Sequence, residues 1–148
     1  MTQHLIETLL FASVAMNAAM LLFITDILGK MMNAVDVAAF KNLIALMYRY
    51  STKSAFMIIG LNLPMLVAIL YYYAYGFDNR WITAGLLVWL FAGSLSKIYK
   101  LPVYKALVKL DDEAVVEIEK QRRKFNAGNL FQAILYVVAT VLVGLGLR

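Results

Sequence analysis

The chain has no cysteine and one histidine among its 148 residues. Without cysteine it can form no disulfide, no thiolate metal site and no thiol nucleophile. A single histidine excludes bis-histidine haem ligation within one chain and the usual multi-histidine metal clusters. The sequence also has no glycine-rich phosphate loop, no nucleophile elbow and no histidine–glutamate metal motif. It therefore predicts no metal site, and it identifies no cofactor.

Charged residues are also scarce, at 16% of the chain, whereas 63% of the residues are hydrophobic and the mean hydropathy is +0.74. A soluble domain has about 25% charged residues. This composition excludes a disordered chain and predicts a protein whose solvent is the lipid bilayer. A bilayer core of about 30 Å needs roughly 20 apolar residues in a helix. Four stretches meet that length, at about 5–25, 54–75, 81–99 and 126–147.

The placement of the basic residues predicts the topology. Twelve of the 14 lysines and arginines lie in two long connections, at about 26–53 and 97–125, and the other two are Arg80 and Arg148. By the positive-inside rule both long connections are cytoplasmic and both termini lie outside, in an inner or plasma membrane. The net charge of +5 is then a topology signal, so we predict no nucleic-acid partner.

Both long connections contain helical patterns. Asp36 is a candidate N-cap, and the apolar residues that follow it have the spacing of one helical face: Phe40, Leu43, Ile44 and Met47. In the second connection Glu117 and Glu119 are spaced for ion pairs with Lys120, Arg122 and Arg123. Each pattern indicates either a membrane-surface or partner-binding helix, or an extension of a transmembrane helix. The predicted fold is all-α: four transmembrane helices in a bundle, with two cytoplasmic amphipathic helices.

The short turn at 76–80 predicts that the second and third spans are antiparallel neighbours. A weak similarity at an offset of 75 residues also suggests a tandem repeat of 1–75 and 76–148, with chance as the alternative. Identical pairs include Lys30 with Lys105, Asp36 with Asp111, Ala39 with Ala114 and Phe56 with Phe131.

Polar side chains inside the spans are the candidate functional residues, because such groups are costly in lipid and normally face the bundle interior. Most of them lie in the cytoplasmic half, which predicts a polar cavity there. We expect it to be lined by Asn62, Lys97, Asn129, Gln132 and Tyr136, and we include Asn17 and Asn126 as further ligand-binding candidates. The alternative is that these side chains only form hydrogen bonds between helices.

The segment Leu101-Pro102-Val103-Tyr104-Lys105-Ala106-Leu107, followed by Arg122, Arg123, Asn126 and a final apolar helix, resembles small four-span anthrone oxygenase-like membrane proteins. The resemblance covers roughly the last 50 residues. It implies Pro102, Arg123 and either Asn126 or Asn129 as functional residues. It also implies oxygenation of a polyphenolic substrate without an evident metal site.

These observations favour a small membrane protein that binds or transforms an apolar, quinone-like or polycyclic molecule in the cytoplasmic-half cavity. They do not decide whether it is an enzyme. The alternative is a non-catalytic accessory protein that forms a homo-oligomer or joins a larger membrane complex. A transporter subunit built by duplication is a third, weaker interpretation, because no charge pair is evident at mid-membrane.

Overall fold

The computed structural model describes residues 2–51 and 53–147, and every regular element in these ranges is a helix. We number five helices in chain order: α1 Gln3–Ala34, α2 Val37–Ser51, α3 Ala55–Tyr75, α4 Arg80–Lys109 and α5 Val115–Leu145. In α1, α3, α4 and α5, length and apolar composition suffice to cross a membrane. The protein is thus all-helical with four candidate membrane spans.

The long connections consist mostly of helix extensions. α1 continues to Ala34, α4 continues to Lys109, and α5 already begins at Val115. In the second connection, both helical segments are thus continuous with candidate spans. In the first connection α2 is a separate helix, and Asp36 is its N-cap as predicted, since its Oδ1 accepts a 2.7 Å hydrogen bond from the Ala39 amide.

The spans pack in the order α3, α1, α5, α4. α5 packs along both α4 and α1, and α1 also packs along α3. The second and third spans were predicted to be neighbours. This prediction is wrong for most of their length, because α3 and α4 hardly contact each other away from the turn that joins them. Near the turn they are joined by a 3.0 Å hydrogen bond from the Tyr72 hydroxyl to Thr83 Oγ1.

Two apolar clusters hold the helices together. The larger joins all four spans and reaches the end that carries Tyr71, Tyr72, Tyr73 and Tyr75, which we call the tyrosine end. The smaller lies at the opposite, basic end, where α1 and α4 finish, α5 begins and α2 packs. Its buried members are Met32, Phe40, Ile44, Val103, Leu107, Ile118 and Phe125.

Two of the spans contain a π-helical turn, Ile24–Leu28 in α1 and Ser96–Lys100 in α4. In each turn a backbone amide donates to the carbonyl five residues earlier, from Gly29 to Ile24 and from Leu101 to Ser96. π turns are rare and often occur at functional sites. The predicted tandem repeat stays a prediction: both halves begin with a π-containing span, but the break between α2 and α3 has no counterpart in α5.

Asn17 compensates for the proline inside α3. Pro64 has no amide hydrogen, so the Gly60 carbonyl, four residues earlier, has no helical donor. The Asn17 Nδ2 of α1 donates to that carbonyl at 3.2 Å and to the Ser13 carbonyl at 3.0 Å. α3 continues unbroken through Pro64 to Tyr75. The Asn17 side chain therefore joins α1 to α3 at the point where α3 needs a donor.

A double-mutant cycle tests this compensation. Asn17→Leu should lower the free energy of unfolding by about 1 kcal/mol, because the Gly60 carbonyl loses its donor. In the Pro64→Ala background the amide introduced with alanine can donate to that carbonyl, so we expect the same substitution to cost less, by about 0.5–1 kcal/mol. Thermal unfolding of the four purified proteins measures the difference. Equal costs in the two backgrounds would contradict the assignment.

Candidate functional site

A half-open cavity of about 370 Å³ lies between the two apolar clusters, and all five helices contribute to its lining. Ligand sites commonly have volumes of about 300–1,000 Å³, with mostly apolar walls and a few polar groups. Both π turns reach the cavity, through Ile24 of α1 and through Ser96, Lys97 and Lys100 of α4. The widened turns thus occur where the bundle is hollow.

Gln132 lines the cavity and carries a buried hydrogen-bond acceptor. Its Nε2 donates to the Ala92 carbonyl at 2.8 Å and to Ser96 Oγ at 2.9 Å. Because a carbonyl can only accept, these bonds fix the orientation of the amide. Gln132 is 2% exposed, and no described residue donates to its Oε1. Buried acceptors are nearly always satisfied, so a missing partner indicates a water or a ligand.

Asn129 and Tyr136 lie one turn before and one turn after Gln132 on the same face of α5. Asn129 is also 2% exposed, and its Oδ1 has no partner in the described part of the chain. The Tyr136 hydroxyl lies beside Gln132 without a hydrogen bond of normal geometry to Oε1. This wall of the cavity therefore carries three polar groups, two with an unused acceptor.

Aromatic side chains form another wall, at the basic end. The Tyr48 and Tyr104 ring centroids are 4.9 Å apart, and the Tyr104 and Phe125 rings meet edge to face at 5.7 Å. These rings come from α2, α4 and α5, so α2 closes the cavity on the side of the basic end. Aromatic surfaces of this kind favour a flat ring as ligand, since offset and edge-to-face ring contacts are attractive.

Lys97 and Lys100 add positive charge to the cavity lining. The Lys97 side chain is exposed, whereas Lys100 is half-buried. Among residues 2–51 and 53–147, neither ammonium group has an ion-pair or hydrogen-bond partner. An oxygen that carries negative charge would be stabilised at this part of the lining.

Three sequence candidates lie elsewhere. Asn62 faces outward from α3 and donates to the Ile58 carbonyl at 2.6 Å, so the expectation that it lines the cavity is corrected. Asn17 is buried at the contact between α1 and α3. Asn126 donates to Asn33 Oδ1 at 2.8 Å, beside a separate shallow pocket. Of the seven candidates, the cavity brings together four: Lys97, Asn129, Gln132 and Tyr136.

Several lining residues were not predicted from the sequence. Lys100 was counted only as a topology charge, and Tyr104 lies beyond the predicted third span. Their spacing could have found them, because Lys97, Lys100 and Tyr104 follow one another at intervals of three and four residues, on one helical face. Phe125 could likewise be found from Asn129, four residues later on the same helix.

The residues implied by the anthrone oxygenase-like resemblance do not meet at one site. Pro102 and Arg123 are exposed, and only Asn129 lines the cavity.

Within the described ranges, no group of three or more histidine, aspartate or glutamate side chains could hold a metal ion. No family model, curated protein or solved structure matches the chain.

Proposed function

We propose that the protein binds an apolar, ring-containing small molecule of the quinone or polycyclic class in the cavity between its two apolar clusters. The observation that carries this proposal is the unpartnered, buried Oε1 of Gln132 in a cavity with aromatic walls. A ring hydroxyl is the complementary group, since it can donate to Oε1 while the ring contacts Tyr104 and Phe125.

The lysines narrow the ligand class further. A carbonyl or phenolate oxygen on the opposite side of the ring would accept from Lys97 or Lys100, which both line the cavity. The complementary ligand is thus a ring with at least one hydroxyl donor and one oxygen acceptor. A hydroquinone or a hydroxylated polycycle meets that description, whereas a plain hydrocarbon does not.

We also propose that the basic end faces the cytoplasm and that both chain termini lie outside. The support is the positive-inside rule, because the connections that carry twelve of the 14 basic residues meet at the basic end. The cavity then lies in the cytoplasmic half of the membrane. The proposal is restricted to binding, because the lining offers hydrogen bonds and charge but no evident nucleophile–base pair.

Three probes that share one ring system test the proposal: naphthohydroquinone, naphthoquinone and naphthalene. Binding is measured by calorimetry to the protein in lipid nanodiscs, under nitrogen to keep the hydroquinone reduced. We expect the hydroquinone to bind about 5- to 10-fold more tightly than naphthalene, the gain from one net hydrogen bond. Binding of none of the probes would overturn the proposal and favour the non-catalytic accessory role.

Substitution of Gln132 by leucine should weaken the preference for the hydroquinone. We expect the hydroquinone-to-naphthalene affinity ratio to fall by about 2- to 10-fold, because the acceptor is gone while the apolar walls and the two lysines remain. Loss of the bond from Gln132 to the Ala92 carbonyl could loosen the cavity wall in general. Such loosening would weaken the binding of both probes alike, so it does not change the ratio of their affinities.

The matched control is Asn126→Leu, two turns earlier on α5 and outside the cavity lining. It should leave the ratio unchanged. A ratio that Gln132→Leu does not alter, or that both variants lower equally, would contradict the assigned role of Gln132.

A further inference from the structure

The outward position of Asn62 carries an inference independent of the cavity. The buried residues of α3 form one face, which packs on α1: Gly60, Pro64, Val67, Ala68 and Tyr71. At 3.6 residues per turn, Asn62 lies on the opposite face of the helix. Its neighbours on that face are exposed apolar or aromatic side chains: Ile58, Met65, Ile69 and Tyr73.

This amide is far from either end of the span. At ~1.5 Å per residue, Asn62 lies about 10 Å from the start of α3 and about 20 Å from its end. The bond to the Ile58 carbonyl uses one amide hydrogen. The other hydrogen and Oδ1 have no partner in the described part of the chain, and hydrocarbon offers none. A polar group on an otherwise apolar outward face therefore requires a polar partner from another molecule.

We propose that this partner is Asn62 of a second copy of the chain. All copies insert into a membrane with the same orientation, so a two-fold axis relating two copies runs along the membrane normal and brings equal residues together at equal depth. An asparagine amide is self-complementary, since it has both a donor and an acceptor. Two Asn62 side chains can thus exchange two hydrogen bonds, whereas another protein would need a polar residue at that same depth.

The spacing of the face fits such a pair. Ile58, Asn62, Met65 and Ile69 recur at intervals of four, three and four residues, which is the seam of a left-handed parallel helix pair. A single asparagine in such a seam is known to fix register and oligomeric state. The dimer would therefore be a parallel pair of α3 helices that share an α3–α3 contact.

Disulfide crosslinking tests the dimer, since the chain has no cysteine of its own. Ile69→Cys, on the proposed seam, should crosslink to itself when vesicles containing the purified protein are oxidised. The matched control is Leu87→Cys on α4, which is 62% exposed against 56% for Ile69. It lies at a similar distance from the tyrosine end and should remain uncrosslinked.

Asn62→Leu in the Ile69→Cys background should raise the dissociation constant of the dimer by about 3- to 20-fold, and Asn62→Gln should retain most of the crosslink. Single-molecule photobleaching of labelled protein in vesicles gives the copy number without relying on crosslink geometry. Monomers by photobleaching, or dimers that Asn62→Leu does not weaken, would overturn the proposal. A crosslink in native membranes to a different protein instead of a second copy would also overturn it.

Discussion

Replacing Gly85 by alanine is expected to lower the free energy of unfolding by about 1–3 kcal/mol, the usual cost of forcing a methyl group into a packed contact. A Cβ atom at this position would lie 2.7 Å from Val143 Cγ2, 2.9 Å from the Ala139 carbonyl oxygen and 3.0 Å from the Val143 amide nitrogen. Two of these neighbours are backbone atoms of α5, which cannot rotate away. The two helices would have to separate along their most extensive contact.

Gly93→Ala is the matched control, on the same helix two turns further along. Its Cβ would lie 3.6 Å from the Tyr136 hydroxyl, an ordinary contact. Since alanine is a better helix former than glycine by about 1 kcal/mol, this variant should be neutral or more stable than the parent. Scanning fluorimetry of the two tryptophans measures both. Equal unfolding temperatures for the two variants would contradict close packing at Gly85.

Arg122→Met is expected to loosen the attachment of the start of α2 to α5. Arg122 is 6% exposed, and its Nη2 donates to the Val35 and Asp36 carbonyls at 3.2 and 3.1 Å. Its guanidinium also pairs with Glu119 at 3.2 Å and lies 4.5 Å from the centre of the Phe40 ring. Methionine keeps the length of the side chain but none of these bonds, so we expect a loss of about 2–4 kcal/mol.

Hydrogen–deuterium exchange locates the effect. Amides of α2, Val37–Ser51, should exchange faster in Arg122→Met, because the Val35 carbonyl loses the Arg122 donor and the Asp36 carbonyl keeps only the Phe40 amide. Arg123→Met is the control, since Arg123 is the next residue and is exposed. Unchanged hydrogen exchange of the α2 amides, or the same increase in both variants, would refute the role assigned to Arg122 in holding the start of α2.

Hydropathy predicted the four spans because each needs about 20 apolar residues, whatever its neighbours are. Within α5, the predicted lining residues Asn129, Gln132 and Tyr136 are three and four residues apart, so a regular helix places them on one face. Asn62 was misplaced for a physical reason. α3 is apolar on all sides, so its sequence does not encode which face meets α1, and the rule that polar groups point inward placed Asn62 in the cavity.

The order in which the four spans pack could not be predicted from the sequence either. A short turn predicts that two helices are neighbours, but here the turn at Gly76, with a φ of 70°, lets α3 and α4 diverge. Small residues favour α5 as the partner of α4, because Gly85 allows a close approach to Ala139. The π turn of α4 was also not predicted from the sequence.

The divergence of α3 from α4 has a consequence for how binding constants should be expressed. Met57 and Leu61 of α3 and Leu101 of α4 line the cavity where these helices have lost contact. Under the proposed function, an apolar ligand would enter sideways from the bilayer, where partitioning would already have concentrated it. Lipid acyl chains would compete for the same entrance. Affinity is then best expressed as a mole fraction in lipid, because a constant referred to bulk water would include the partition coefficient of the ligand.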